Sequence, residues 1–110
     1  MLAWAFVDYL LVAKRFDCAG DHAGGWETSH MLAIAPETVD LSLLPPEGEP
    51  LVGAGGKMPP QQATADFGRK TLDAAVDAAV REAHHRLKNR NLYRGHGRSL
   101  LEGLWTDNGD

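Results

Sequence analysis

The clearest pattern of apolar and polar positions lies between Thr64 and Leu87. Apolar residues recur there at steps of three and four, the spacing that lines one face of an α-helix. Three charged residues, Asp73, Asp77 and Arg81, are spaced by four on the opposite face. The pattern predicts a long helix over 64–87, with Thr64 as its N-cap, that packs through an alanine-rich stripe. The stripe consists of Phe67, Leu72, Ala75, Val76, Ala79, Val80, Ala83 and Leu87.

A second helix is predicted earlier in the chain, over residues 26–35. Gly24 and Gly25 give the backbone unusual freedom just before a run of good helix formers. Glu27 would lie in the first turn, where the helix dipole favours a carboxylate. Pro36 disfavours a helical conformation at the residue before it. A loop that leads directly into a helix start is therefore expected near residue 24.

The chain opens with a nearly continuous apolar run over residues 2–13, interrupted by Asp8. The run is too short to span a bilayer, and no basic segment precedes it as in a signal peptide. Such runs are typical of strands buried in parallel sheets. We therefore predict a strand over 3–13 that leads into the loop 17–25, the place where open α/β sheets bind ligands.

A long connection rich in proline and glycine, residues 37–60, separates the two predicted helices. Its scattered leucines indicate that it packs along the surface and adds at most one short strand. The glycines before Lys57 suggest a phosphate-binding loop at first sight. That interpretation fails because Met58 follows the lysine, where the motif requires serine or threonine.

Residues with acid, base or metal-ligand chemistry cluster at the predicted loop-to-helix junction: Asp21, His22, Glu27 and His30. Glu27 and His30 are three apart, which is the Glu-x-x-His spacing of carboxylate metal bundles. The chain has no second copy of that motif. Taken alone, Glu27 is therefore read as a charge at a helix start, and His30 as a solvated polar residue.

This segment resembles the signature of the creatininase (creatinine amidohydrolase) family, in which an acidic residue and a histidine precede glycines and Glu-Thr-Ser-x-Met-Leu-Ala opens a helix. The matching residues are Asp21-His22-Ala-Gly-Gly-Trp-Glu27-Thr28-Ser29-His-Met31-Leu32-Ala33. The following Pro36-Glu-x-Val39-Asp40-Leu41 is similar too. A second motif, Gln62-Ala-Thr-Ala-Asp66-x-Gly68, is similar to the start of the family's last long helix. Both motifs occur in the family's order, and the resemblance covers roughly residues 3–88.

The resemblance implies an α/β fold, with residues 1–88 forming the C-terminal part of a three-layer α/β/α sandwich with a mostly parallel sheet. Residues 89–110 would follow as a basic polar tail. The family's other half carries most of its metal ligands, in an early Glu-x-His and an Asn-x-His-Gly-Gly-Asn loop. Neither motif occurs in this sequence. The chain is therefore expected to lack the N-terminal half of the domain.

The resemblance also implies roles for individual residues. His22 matches a loop histidine that contacts substrate and moves protons, and Asp21 matches the acidic residue beside it. Glu27 matches a glutamate at or beside a metal centre, which in a complete family member would hold two divalent ions, zinc or manganese. We also expect Trp26, within the same motif, to contact substrate. His30 has no inherited role.

Composition limits what the chain can do. A chain of 110 residues, 44% of them hydrophobic, fits one small domain with a modest core. The net charge of −4 argues against general affinity for nucleic acid, since such affinity rests on cationic side chains. Cys18 is the one cysteine, so no internal disulfide can form, and a reducing cytoplasm is the simplest interpretation. The thiol is read as buried rather than nucleophilic.

Two features lie near the end of the chain. His84 and His85 are adjacent, and adjacent helical residues point about 100° apart, so they are not expected to share a metal. A basic patch follows, and for residues 99–105 a short amphipathic helix that docks on the body or on a second subunit is one interpretation. The patch comprises Arg86, Lys88, Arg90, Arg94 and Arg98.

Two functions remain open at this point. The first is a metal-dependent hydrolase of a small cyclic or linear amide, which could be inactive as an isolated chain. The second is a non-catalytic half-domain or assembly piece without a complete site. The predicted strand would have few partners within the chain, and together with the apolar residues 100–105 this favours a homo-oligomer or pairing with a missing N-terminal half.

Overall fold

A computed structural model describes residues 3–93, and this part of the chain is mostly helical. Helix α1 spans Gly25–Ile34 and helix α2 spans Ala65–Lys88. Short 3-10 turns occupy Asp8–Leu11, Pro36–Thr38, Leu41–Leu43, Pro60–Gln62 and Arg90–Tyr93. Within residues 3–93 the β structure amounts to one isolated antiparallel bridge, between His22 and Gly55.

Both predicted helices are confirmed, each within one residue of its expected bounds. Helix α1 ends just before Pro36, as the proline required. Helix α2 begins at the predicted cap, because the Thr64 hydroxyl accepts a hydrogen bond from the Phe67 backbone N–H at 3.1 Å. The capping threonine and the proline in this sequence therefore mark the true helix boundaries.

The predicted strand over 3–13, and with it the parallel-sheet α/β/α sandwich, is wrong. In its place the chain forms a 3-10 turn at Asp8–Leu11, opened by Asp8, whose carboxylate accepts from the Tyr9 N–H at 2.8 Å. A short apolar run specifies burial without specifying backbone conformation. Here Val12 is buried, and Tyr9 and Leu11 pack against the same core from the turn.

The two helices cross at Gly68, where α2 has no side chain to hold them apart. A Cβ atom on Gly68 would overlap the backbone carbonyl of Ser29 in α1 and lie 3.0 Å from the Ala33 Cβ. This close approach turns a face of small and polar residues toward α1. The buried residues of α2 are Gly68, Thr71, Ala74, Ala75 and Arg86.

The predicted packing stripe of α2 is therefore only partly correct. Ala75 is buried and Phe67 contacts the core, as expected. Val76, Val80 and Leu87 are instead 60%, 50% and 50% exposed. Backbone proximity at Gly68, rather than the hydrophobicity of the stripe, decides which side of α2 faces α1.

An aromatic cluster fills the space between the first turn and the two helices. Trp26 is 2% exposed, and its ring lies 5.9 Å from that of Phe16 and 6.1 Å from that of Phe67. Tilted and edge-on ring contacts at such distances stabilise a core beyond simple burial. Trp26 is thus the centre of the packing in residues 3–93.

The end of α2 also departs from expectation. Arg86, assigned above to a basic patch, is 3% exposed and lies over the rings of Trp4 and Tyr93 at 4.8 and 4.5 Å. Its Nε donates to the Glu82 carboxylate at 2.7 Å. The patch residues Arg94 and Arg98 and the predicted segment 99–105 lie outside the described residues.

Candidate functional site

The loop before α1 is held in place by one carboxylate. Asp21 accepts hydrogen bonds from two backbone N–H groups in the first turn of α1, Trp26 at 2.7 Å and Glu27 at 3.1 Å. Gly24 stands at the N-cap position and has no side chain to do this. Asp21 therefore caps α1 from three residues before the N-cap position, which satisfies donors that every helix start leaves open.

Glu27 makes the reciprocal contact. Its carboxylate accepts from the backbone N–H of Ala23 at 2.8 Å, while the side chain stays exposed. Ala23 has a φ of 50°, a left-handed conformation that is uncommon for a residue with a side chain. The Glu27 contact thus helps to hold a strained residue directly after His22.

A second loop is bonded to the first through backbone groups. The N–H of His22 donates to the Gly55 carbonyl at 2.9 Å, and the N–H of Gly55 returns a bond to His22 at 2.8 Å. The Gly25 N–H donates to the Met58 carbonyl at 2.7 Å. A side chain on Gly25 would collide with Met58 and with the Pro59 carbonyl, so this contact requires glycine. The His22 side chain is exposed at this junction.

An open cleft of about 350 Å³ lies beside the first turn of α1. Glu27, Thr28 and Asp40 bring carboxylate and hydroxyl oxygens to it, and the remaining wall is mainly apolar. The lining residues are Ala23, Glu27, Thr28, Met31, Thr38, Val39, Asp40, Leu41, Leu44 and Pro60. The connection 37–60 therefore helps to form a cleft with α1.

Asp40 was not identified as a site residue from the sequence. Its carboxylate accepts from the Ser42 hydroxyl at 2.6 Å and from the Ser42 N–H at 3.0 Å. These hydrogen bonds hold the pKa of the Asp40 carboxyl below its ordinary value, so the group stays ionised. The Asp-x-Ser spacing, typical of a side-chain turn, is the signal that could have placed it at a loop corner.

His30 lies between the helices and not on a solvated face. Its Nε2 is 2.9 Å from the Thr71 hydroxyl, and that hydroxyl donates to the α2 carbonyls of Phe67 or Gly68. In the tautomer that carries its hydrogen on Nε2, His30 donates to Thr71 while the single hydroxyl proton goes to one of these carbonyls. Burial lowers the pKa of His30, against the opposing attraction of Asp8, Asp21 and Glu27.

The remaining predicted site residues do not converge on the cleft. Trp26 is buried in the core, so contact with a substrate stays a prediction that its burial does not favour. His84 and His85 are exposed near the end of α2, and His85 contacts Asn89. Cys18 is half-buried, and burial, ahead of the nearby Asp17 and Asp21, raises the pKa of its thiol. A raised pKa disfavours the nucleophilic thiolate.

The described residues do not fit a complete metal centre. Between residues 3 and 93 no three His, Cys, Asp or Glu side chains come close enough together to hold an ion. Both oxygens of Asp21 serve the helix start, and His30 faces Thr71, so neither joins Glu27. A catalytic zinc usually takes three protein ligands. Glu27 could supply one of them.

Comparison with known proteins gave no match among protein-family models, curated proteins or solved structures. The resemblance to creatininases therefore stays a prediction based on the two motifs. Within residues 3–93, neither helix is both long and apolar enough to cross a membrane.

Proposed function

We propose that this chain supplies the substrate-facing loop and helix start of a creatininase-like hydrolase of small cyclic or linear amides. The observation that carries the proposal is the position of Glu27. Its carboxylate stays exposed, lines the 350 Å³ cleft, and is anchored by the Ala23 N–H. A rigidly held carboxylate at a helix start, in a cleft of small-molecule size, is suited to a reacting centre.

His22 and Glu27 have distinct tasks in this proposal. Glu27 would hold a divalent metal ion. His22 is exposed and lies one residue before Ala23 in the cleft wall, and it exchanges a proton with the leaving nitrogen of the amide. Asp21 acts as a positioning residue, because its two hydrogen bonds fix the loop that carries His22. The divalent ions of the family would supply Lewis-acid activation of the amide and of water.

The other metal ligands of a complete site must come from outside the described residues. We propose that a second polypeptide or a segment equivalent to the family's N-terminal half provides them. The alternative function, a non-catalytic half-domain or assembly piece, is favoured by the lack of three converging ligands in residues 3–93. The two proposals differ in whether the cleft becomes active when the other half is supplied.

Co-expression distinguishes them. The chain would be produced together with the N-terminal half of a creatininase that carries Glu-x-His and Asn-x-His-Gly-Gly-Asn, and tested for hydrolysis of creatinine with zinc or manganese. We expect metal-dependent hydrolysis from the pair and none from the chain alone. A pair that assembles but stays inactive toward creatinine and a panel of linear amides would favour the non-catalytic alternative.

Two substitutions then test the residue roles in the assembled pair. Glu27→Gln should lower bound metal and hydrolysis together, while His22→Ala should retain the metal and lose turnover. Glu37→Gln is the matched control, because Glu37 is exposed and does not line the cleft. Full metal content in the Glu27→Gln pair would show that Glu27 is not a ligand. Hydrolysis by the chain alone, abolished by His22→Ala, would show that it needs no second half.

A further inference from the structure

A second cavity, of about 340 Å³, lies where the proline- and glycine-rich connection meets the start of α1. Residues between 48 and 61 form most of its wall, and Gly24 completes it. Of the described residues, only Pro60 lines both this cavity and the cleft beside Glu27. The two are therefore separate sites, and we call this one the Gln61 cavity after the residue that decides its chemistry.

The wall of the Gln61 cavity is mostly apolar and is held in place. Three prolines, whose rings fix the backbone φ angle, line it together with two larger apolar side chains. The Gly25 N–H ties this wall to α1 through its bond of 2.7 Å to the Met58 carbonyl. A preformed cavity of this size suits a molecule of about one or two rings, which binds without first ordering a loop. The five residues are Pro50, Leu51, Met58, Pro59 and Pro60.

Main-chain groups along the wall are already engaged within the fold. The N–H and the carbonyl of Gly55 both bond to the backbone of His22. The carbonyls of Met58, Pro59 and Pro60 each accept a backbone N–H of the chain. A ligand would therefore be oriented by a side chain of the cavity more than by its backbone.

Gln61 has an acceptor that is not satisfied within residues 3–93. Its Nε2 donates to the Pro45 carbonyl at 2.8 Å. This contact fixes the orientation of the amide, because a carbonyl oxygen can only accept. The other amide atom, Oε1, is buried and has no hydrogen-bond partner among the described residues. A buried acceptor without a donor is costly and indicates a partner such as a ligand.

We propose that the Gln61 cavity binds a small neutral or cationic aromatic molecule whose ring N–H donates to Gln61 Oε1. The apolar wall takes the ring, and the thioether of Met58 favours an aromatic contact. Glu49, an exposed acidic residue of the wall, disfavours an anionic ligand. The inference does not depend on the proposed hydrolase function, because Asp21, His22 and Glu27 do not line this cavity.

Two probes that differ in one N–H group test the proposal: benzimidazole and its N-methyl derivative, both uncharged at neutral pH. Benzimidazole should bind the full chain with a dissociation constant of about 0.1 to 10 mM. The N-methyl derivative should bind at least about fivefold more weakly, because it leaves the buried acceptor unpaired. Two-dimensional amide NMR titrations measure both, and the shifts should centre on Leu51, Gly55 and Gly56.

Three results of these titrations would overturn the proposal. The first is no binding of benzimidazole at about 10 mM, the upper end of the expected range. The second is equal binding of the two probes. The third is a set of shifts centred on Thr28 and Val39, which line the Glu27 cleft instead.

A matched pair of variants tests the acceptor. Gln61→Met removes Oε1, keeps the length of the side chain, and should bind the two probes within about twofold of each other. Gln62→Met is the control, because Gln62 is exposed and does not line the cavity, and it should keep the wild-type preference. Circular dichroism verifies folding, and the wild-type titrations decide the proposal if Gln61→Met does not fold. A folded Gln61→Met variant that keeps the preference would show that Oε1 is not the acceptor.

A carboxylate derivative of benzimidazole tests the charge of the ligand. It should bind the wild-type chain several-fold more weakly than benzimidazole at low salt, because Glu49 repels it. Glu49→Gln should reduce that difference. Equally tight binding of the carboxylate and the parent ring to the wild-type chain would contradict the proposed ligand class.

Discussion

At the scale of single residues, Asp21 has a structural task where the sequence suggested a catalytic one. Both of its carboxylate oxygens accept backbone N–H groups of α1. An acidic residue three positions before the N-cap does not match a standard cap, because the capping side chain usually sits at the N-cap itself. The sequence shows a carboxylate beside a histidine, but only the fold of the Gly24–Gly25 loop brings it to the helix.

Asp21→Ala should destabilise the chain by about 1 to 2 kcal/mol, since it leaves two helix-start donors without this partner. Asp21→Asn keeps one acceptor oxygen and should cost less than the alanine variant. Urea unfolding followed by tryptophan fluorescence measures both. Asp17→Ala is the control, because that side chain is 91% exposed and its ion pair with Lys57 is long, at 4.0 Å. Equal stability of Asp21→Ala and Asp17→Ala would contradict the capping role.

The second residue-scale prediction concerns pH. Burial lowers the pKa of His30 below its ordinary value of 6.5, so the unfolded chain binds the proton more readily than the folded one. Stability should therefore fall as the pH drops from neutral through 6.5 toward the lowered pKa. His30→Gln can still donate to Thr71 and should flatten this dependence, as measured by urea unfolding at a series of pH values. His84→Gln, at an exposed position, should keep the wild-type slope.

At the scale of elements, the sequence predicted the helices and missed what lies between them. Thr64 and Pro36 mark their boundaries through local chemistry, which acts wherever the residues occur. The strand over 3–13 was wrong because an apolar run of that length fits any buried backbone conformation. The packing face of α2 depends on contact between Gly68 and Ser29, 39 positions apart, and no local pattern carries that information.

Gly68→Ala tests this contact, because here we expect the substitution to lower stability, the opposite of its usual effect. Alanine in place of an interior helical glycine normally stabilises by about 1 kcal/mol. Here the added methyl group would meet the Ser29 carbonyl, so we expect a loss of about 1 to 3 kcal/mol as the helices are forced apart. Arg81→Ala, at an exposed position further along α2, should change stability by less than about 0.5 kcal/mol. A stabilised Gly68→Ala variant would show that the helices do not approach this closely.

At the scale of the whole molecule, the core of the described residues is small and its one large member is Trp26. The other buried apolar residues are Val12, Ala63, Ala74 and Ala75. The aromatic rings of Phe16 and Phe67 pack around the tryptophan from the first turn and from α2. The residue that the family resemblance assigned to substrate contact therefore joins the first turn to both helices.

Trp26→Ala should cost about 3 to 5 kcal/mol, which is a large part of the roughly 5 to 15 kcal/mol that stabilises a typical domain. We expect the variant to lose its near-ultraviolet circular dichroism and to melt at much lower temperature, if it melts cooperatively at all. Leu43→Ala, at a position that is 82% exposed, should melt like the wild type. A Trp26→Ala chain as stable as the Leu43→Ala chain would mean that the tryptophan is not a core residue. Substrate contact would then regain support as its role.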